Sequence, residues 1–276
     1  MNSTMITATN TLSQLQKQMD IISNNLANVD TTGYKSRQAT FTDLLFQQFD
    51  NQPIANAEVG RLTPNGIRQG VGARLDQVQM VAKQGSLKTT GRNLDLAFQK
   101  ENQYFKVLSP KDNTVQYTRD GSFSLSPVSA NEVMLVMSDG SPVLDENNKP
   151  ITLTGDVGKI EVSGTGQMNV TMTNGASQSF NLGVVQINKP QYFEQKGGNV
   201  IGLAANVAGV TPADVLTDLT GQQRGLISVG QGMLEQSNVD LSKEMTDLMN
   251  VQRSYQFQSR SVTIADQMMG LINGIR

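Results

Sequence analysis

The chain has 276 residues and a net charge of −2, with 37% hydrophobic and 17% charged residues and neither His nor Cys. That length accommodates one large domain or two smaller ones, and the charge balance lacks the basic footprint of a nucleic-acid binder. Without His or Cys there is no imidazole acid–base chemistry, no thiol nucleophile, no disulfide and no ordinary zinc centre.

The N-terminal segment predicts a helix with a narrow apolar stripe. Met5, Ala8, Leu12, Leu15, Met19, Ile22 and Leu26 alternate at spacings of three and four. That is an a/d heptad, the seam of a coiled coil rather than the wider face of a globular helix. Residues 1–33 carry only Lys17, Asp20 and Asp30 as charges. Gln, Asn, Ser and Thr fill the polar side, which suits either a weakly stable helix that is flexible in solution or a helix packed among copies of itself, where repeated charges would be poorly screened. The helix is expected to end at Gly33, after Asp30-Thr31-Thr32. The first residues, MNSTMITATNTLSQLQKQ, offer no basic residue before Lys17 and no compact apolar run. They do not read as a cleaved signal peptide, and on these grounds alone the protein reads as cytoplasmic. No 18-residue apolar run predicts direct membrane insertion.

Next comes TFTDLLFQQF (residues 40–49), compatible with two helical turns, then a Gly/Pro/Asn-rich connection over 51–72. From about residue 73 to 185 the apolar period drops to two. Leu94, Leu96 and Phe98 alternate, as do Phe123 and Leu125, Met134 and Val136, Met168, Val170 and Met172, and Phe180, Leu182 and Val184. Asp120-Gly121, Asp139-Gly140 and Asn174-Gly175 supply turn signals. Residues 197–230 read as a second loose connection. A last helix repeats the seam with Leu241, Leu248, Val251, Tyr255, Val262, Ala265, Met269 and Ile272, broken at Gln258. Asp240 is its candidate N-cap, and Glu244 lies near the positive end of its dipole.

The fold class is therefore α+β. Terminal helices (1–33 and 238–276) pair as a coiled-coil-like element around a central, mostly antiparallel β domain (73–196), with connecting segments at 34–72 and 197–237.

Enzyme patterns fail. GVGARLD (70–76) lacks the third glycine of a dinucleotide fingerprint and precedes a strand, and no Walker A sequence occurs. DENNK (145–149) lacks the Gly and distal Glu of a calcium loop and reads as a hairpin turn. Asp95, Glu101 and Asp120 could pair as carboxylates for glycoside hydrolysis, but Asp120 reads first as a turn residue and Glu101 as an exposed loop residue. Lys83, Lys88, Arg92 and Arg119 are scattered and read as a solvated face. No catalytic, cofactor or metal site is expected.

Four segments resemble the flagellar basal-body rod and hook family. SNNLANVDTTGYK (23–35) is similar to the end of that family's first helix, with Asn24, Asn25, Leu26, Ala27, Asn28, Thr31, Thr32, Gly33, Tyr34 and Lys35 in matching places. GRNLDLAFQKENQYFKV (91–107) resembles the start of its β domain, departing at KENQYF from the usual Gly-rich run. YTRDGSF (117–123) matches a central motif. VDLSKEMTDLMNVQRSYQFQSRSVTIADQMM (239–269) resembles its C-terminal helix. The segments spanning 37–74 are similar to the extended stretch of distal-rod proteins.

The resemblance implies a structural subunit polymerising into a hollow shaft, the terminal helices forming the inner tube and the β domain the outer layer. It implies export by the flagellar type III apparatus without a cleaved signal peptide, which replaces the cytoplasmic reading. It also implies a place in the basal body, next to further copies and to other rod and hook proteins. The expected subunit contacts are Leu12, Leu15, Met19, Ile22, Asn24, Asn25, Leu26, Asn28, Thr31, Thr32, Gly33, Tyr34, Leu241, Leu248, Val251, Tyr255, Val262 and Met269. A hook-type subunit is the nearest alternative; a surface adhesin and a cell-wall hydrolase are more distant ones.

Overall fold

The computed structural model describes residues 2–43, 47–49, 67–70, 72–129, 131–197, 199–204 and 211–274. The chain divides into two compact units. One comprises Met1–Leu26, Arg37–Gln79 and Leu241–Arg276, the other Ala27–Ser36 and Met80–Asp240. The architecture is α+β, with helices at both ends of the chain and antiparallel strands between them.

In the first unit the N-terminal helix runs over Asn2–Ala27 and the C-terminal helix over Leu241–Gly274. The first stops six residues before the expected Gly33. Asn28, Asp30 and Thr31 offer short polar side chains that compete for backbone groups and favour turns over helix. Thr31 N donates to Asn28 O at 3.3 Å and Thr31 Oγ1 bonds Asn28 Oδ1 at 3.2 Å. Arg37–Asp43 is a strand, paired with Ala73–Met80, where helical turns were expected. Its β-branched Thr40 and Thr42 around Phe41 suit a pleated strand, and Thr40 Oγ1 donates to Gln77 O at 3.1 Å. Gln47–Phe49 pairs antiparallel with Ile67–Gln69. Most of the expected 51–72 connection lies outside the described residues.

The second unit holds the β fold. Its largest sheet has six antiparallel strands in the order Phe193–Gly197, Val200–Leu203, Val115–Thr118, Gln103–Leu108, Val184–Ile187, Leu216–Asp218. Successive residues of a strand face opposite sides, and this sheet buries both. Phe105, Val107 and Val184 join the main core, while Tyr104, Val185 and Ile187 join a smaller cluster with Ile201 and Leu216. Phe98, Phe105 and Phe123 cluster in the main core, Phe98 tilted against Phe105 and Phe123 edge-on to it, with centroids 4.2 and 5.1 Å apart. The segment read as a loose connection at 197–237 supplies strands Val200–Leu203, Leu216–Asp218, Val229–Gln231 and Met233–Glu235. Each is three or four residues long, too short for period two to register.

The alternation is cleanest in Gln167–Met172, where Met168, Val170 and Met172 are buried and their neighbours exposed. Asn174-Gly175 turns into the next strand with Gly175 at φ 83°, and Asp145 Oδ1 accepts from Asn147 N and Lys149 N to close the turn at 145–149. Asp120-Gly121 differs. The strands on either side do not pair with each other: Val115–Thr118 joins the six-stranded sheet, and Ser124–Ser129 pairs with Glu132–Val136. Asp120-Gly121 is a buried crossing between sheets, and a Cβ on Gly121 would stand 1.7 Å from Leu96 O.

Candidate functional site

Three of the singled-out stretches converge in the β-bearing unit. The turn at 31–35 lies against 119–120 and the strand ending at Glu235. Gly33 has φ 67°, and a Cβ there would lie 2.4 Å from Asp120 N. A left-handed conformation and a backbone at that distance together require glycine. Gly33 N donates to Glu235 O at 2.8 Å. Thr32 Oγ1 donates to Asp120 Oδ1 at 2.9 Å, and Tyr34 is buried beside it.

Glu235 is the hub. Its carboxylate accepts from Lys35 Nζ at 2.6 Å, Arg119 Nε at 2.6 Å and Gly85 N at 2.9 Å. The side chains of Lys35, Glu235 and Arg119 are 4%, 1% and 0% exposed. Arg119 also donates to Gln103 O and Lys100 O and lies over the Phe98 and Tyr104 rings, so the scattered surface cation of the sequence reading is fully buried and partnered. Burial, reinforced by the Arg119 charge, pulls the Lys35 ammonium below its ordinary range against the attraction of Glu235. Two buried cations therefore share one anion.

Two asparagines act as clasps, one in each unit. Asn238 Oδ1 accepts from Ser36 N at 2.7 Å, and its Nδ2 donates to Val81 O and Lys83 O, both at 2.9 Å. Asn25, 1% exposed, accepts from Arg37 N and donates to Arg37 O, each at 2.9 Å, and also bonds Glu244 Oε1 at 3.1 Å. Each amide serves as donor and acceptor at once, replacing a ladder bond where the chain has none. The Asn25–Glu244 bond joins the end of the N-terminal helix to the start of the C-terminal helix.

The remaining expected contacts are distributed by depth. Ile22 and Val251 are buried, Leu12, Leu15, Met19, Leu26, Leu248, Tyr255, Val262 and Met269 are half-buried, and Leu241 is exposed. Asn28, Thr31 and Thr32 are half-buried, and Asn24 is exposed. Of the three carboxylates considered for hydrolysis, Glu101 is exposed and the other two are committed elsewhere. Asp120 accepts from Thr32, Ser122 and Asn199, and Asp95 from Thr90 and Arg92. Among the described residues no group of three or more Asp or Glu could hold a metal ion, and no helix is long and apolar enough to cross a membrane.

Reading single stretches missed Glu235, Asn238 and the depth of Arg119. One signal was present: Glu235 is the only charged residue between Arg224 and Asp240. A lone acid within an apolar strand points to a buried cation.

Long terminal helices, a β unit and motif residues spent on holding the chain to itself define a structural α+β subunit. Residues 5–35 match the family described as flagella basal body rod protein, residues 101–170 the flagellar hook protein FlgE/F/G D1 domain, and residues 231–275 the flagellar basal body rod FlgEFG protein C-terminal region. The chain is 44% identical over 276 residues to the flagellar hook-basal body complex protein FlhP of Bacillus subtilis, covering 99% of this chain and 98% of that one. It is 32% identical to the flagellar basal-body rod protein FlgG of Agrobacterium fabrum (94% and 93% covered) and 31% identical to that of Borreliella burgdorferi (98% and 97% covered). The chain belongs to the flagellar basal-body rod and hook protein family and is a structural subunit of that kind.

Proposed function

We propose that this subunit polymerises through its terminal helices into the hollow flagellar rod, which transmits torque and passes exported subunits outward. The observation that carries the reading is the half-buried heptad seam. Leu12, Leu15, Met19, Leu248 and Tyr255 keep part of their apolar surface accessible in the single chain. Neighbouring copies would complete that burial, at roughly 25 cal/mol per Å² removed from water. A contact between unlike faces that does not close on itself generates a helical filament.

On this reading the role is structural rather than catalytic. The partners are further copies and adjoining rod and hook proteins, and delivery is by the flagellar type III export apparatus to the basal body in the cell envelope. Similarity to basal-body rod proteins over more than nine-tenths of the chain favours a rod position. The turn at 31–35, fixed on Glu235 and Asp120, would set where the chain leaves the inner helices. Asn24, Asn25, Asn28, Thr31 and Thr32 would add uncharged hydrogen-bonding groups at that exit.

Leu12→Asp, Met19→Asp or Leu248→Asp tests the seam. Each should abolish incorporation into basal bodies and swimming while the β unit stays folded by circular dichroism. Normal motility in these variants would overturn the assignment.

A further inference from the structure

The chain has no Cys, so its 13 methionines hold all of its sulfur. Their exposure is unequal. Met137, Met168 and Met172 sit in the main core and are 4%, 1% and 4% exposed. Met5, Met19, Met80, Met134, Met233 and Met269 are half-buried. Met245, Met249 and Met268 are 45%, 50% and 47% exposed, and all three lie on the C-terminal helix. Met245 and Met249, four residues apart, are surface neighbours on successive turns.

A two-electron oxidant of the peroxide class needs only to reach such a sulfur. The sulfur lone pair attacks one peroxide oxygen, and the S–O bond forms as the O–O bond breaks. The leaving hydroxide takes the proton of the transferred oxygen and departs as water. The thioether is oxidised, the peroxide is reduced, and a thiol-dependent sulfoxide reductase reverses the change. The product exchanges a soft apolar group for a polar one, whose oxygen accepts hydrogen bonds and donates none. Four hydroxyls of this helix are already spent. Thr246, Ser254, Ser261 and Thr263 each donate to the carbonyl four residues back, at 2.8, 2.9, 3.0 and 3.1 Å. Water satisfies the new acceptor in the free chain. Packing the helix into a shaft removes that water, and those hydroxyls are committed elsewhere.

We propose that Met245, Met249 and Met268 are an oxidant-reactive set, converted to sulfoxide by peroxide-class oxidants in the unassembled chain, and that the conversion withholds the chain from incorporation while the β unit stays folded. The consequence rests on the rod-subunit reading; the reactive set itself does not.

The site is tested on the purified full chain treated with hydrogen peroxide and mapped peptide by peptide. Met245, Met249 and Met268 should gain oxygen about tenfold or more faster than Met137, Met168 and Met172. The urea transition read by tyrosine fluorescence should stay where it was. Equal rates across the methionines, core methionines reacting first, or loss of that transition while only the three are oxidised overturns the assignment. The consequence is tested in flagellated cells with two triple variants. Met→Leu at 245, 249 and 268 keeps the apolar bulk without the sulfur and should incorporate into basal bodies like the unaltered chain. Met→Gln at the same positions places an uncharged polar group there, as the sulfoxide does, and should lower incorporation by about tenfold or more. Equal incorporation of the two variants overturns the consequence. Absence of the unaltered chain from isolated basal bodies sinks the rod reading and the consequence with it, whereas the order of oxidation decides the site alone.

Discussion

Glu235→Ala removes the one carboxylate shared by Lys35 and Arg119. Both cations stand 2.6 Å from it, and all three side chains are at most 4% exposed. Breaking a buried ion pair typically costs about 3–5 kcal/mol, because the surviving charge stays buried without a partner. Here one deletion strands two cations and frees Gly85 N as well, so the cost should reach the upper part of that range, about 4–5 kcal/mol. A domain of total stability about 5–15 kcal/mol would be left marginal. Lys35→Met is different. It leaves Glu235 paired one-to-one with Arg119 and removes an ammonium whose charged form burial already disfavours. Its cost should be about 1–2 kcal/mol, mostly the lost bonds to Glu235 and Lys83 O. Urea unfolding followed by tyrosine fluorescence measures both, since the chain has five Tyr and no Trp, and Tyr34 and Tyr104 are buried in this unit. Equal losses for the two variants, or a Glu235→Ala loss below about 1 kcal/mol, would refute the shared-anion account.

Gly33→Ala should cost about 2–4 kcal/mol, combining the φ of 67° with a Cβ 2.4 Å from Asp120 N, and denaturant midpoints would show it. Gly121→Ala should be worse, because Leu96 O lies 1.7 Å from the new carbon, and the folded protein should be recovered in low yield. Tyr104 is buried, its hydroxyl has no partner among the described residues, and burial pushes its pKa from 10.0 up to about 12. The raised value contributes stability that is complete below pH 10 and lost as pH rises through 12. The loss is about 2–3 kcal/mol in all. Tyr104→Phe should be neutral or stabilising by up to about 1 kcal/mol at pH 7 and should flatten the alkaline decline in urea titrations. Tyr117, also raised to about 12 by burial and Asp218, should keep a residual slope in that variant.

The terminal helices, the strands with clean alternation and the short turns were legible because each is a local pattern. A heptad stripe or an apolar residue at every second position specifies which face is buried whatever it packs against. Gly33 was legible only as a stop signal: the helix ends earlier, at Ala27, and the left-handed φ of 67° and the close approach to Asp120 N came with the fold. Tertiary structure decided what those pieces meet. Thr32, Gly33 and Lys35 are committed to Asp120 and Glu235, some 88 and 200 residues distant in the chain. Arg119 is buried because a single acid and two aromatic rings receive it. Strands of three or four residues between 200 and 235 carry too few alternations to be read, and sheet partners supply their pairing. Periodicity is written in neighbouring residues, but the burial of a charge depends on whether its counter-charge arrives from elsewhere in the chain, and only the folded chain brings Lys35, Arg119 and Glu235 together.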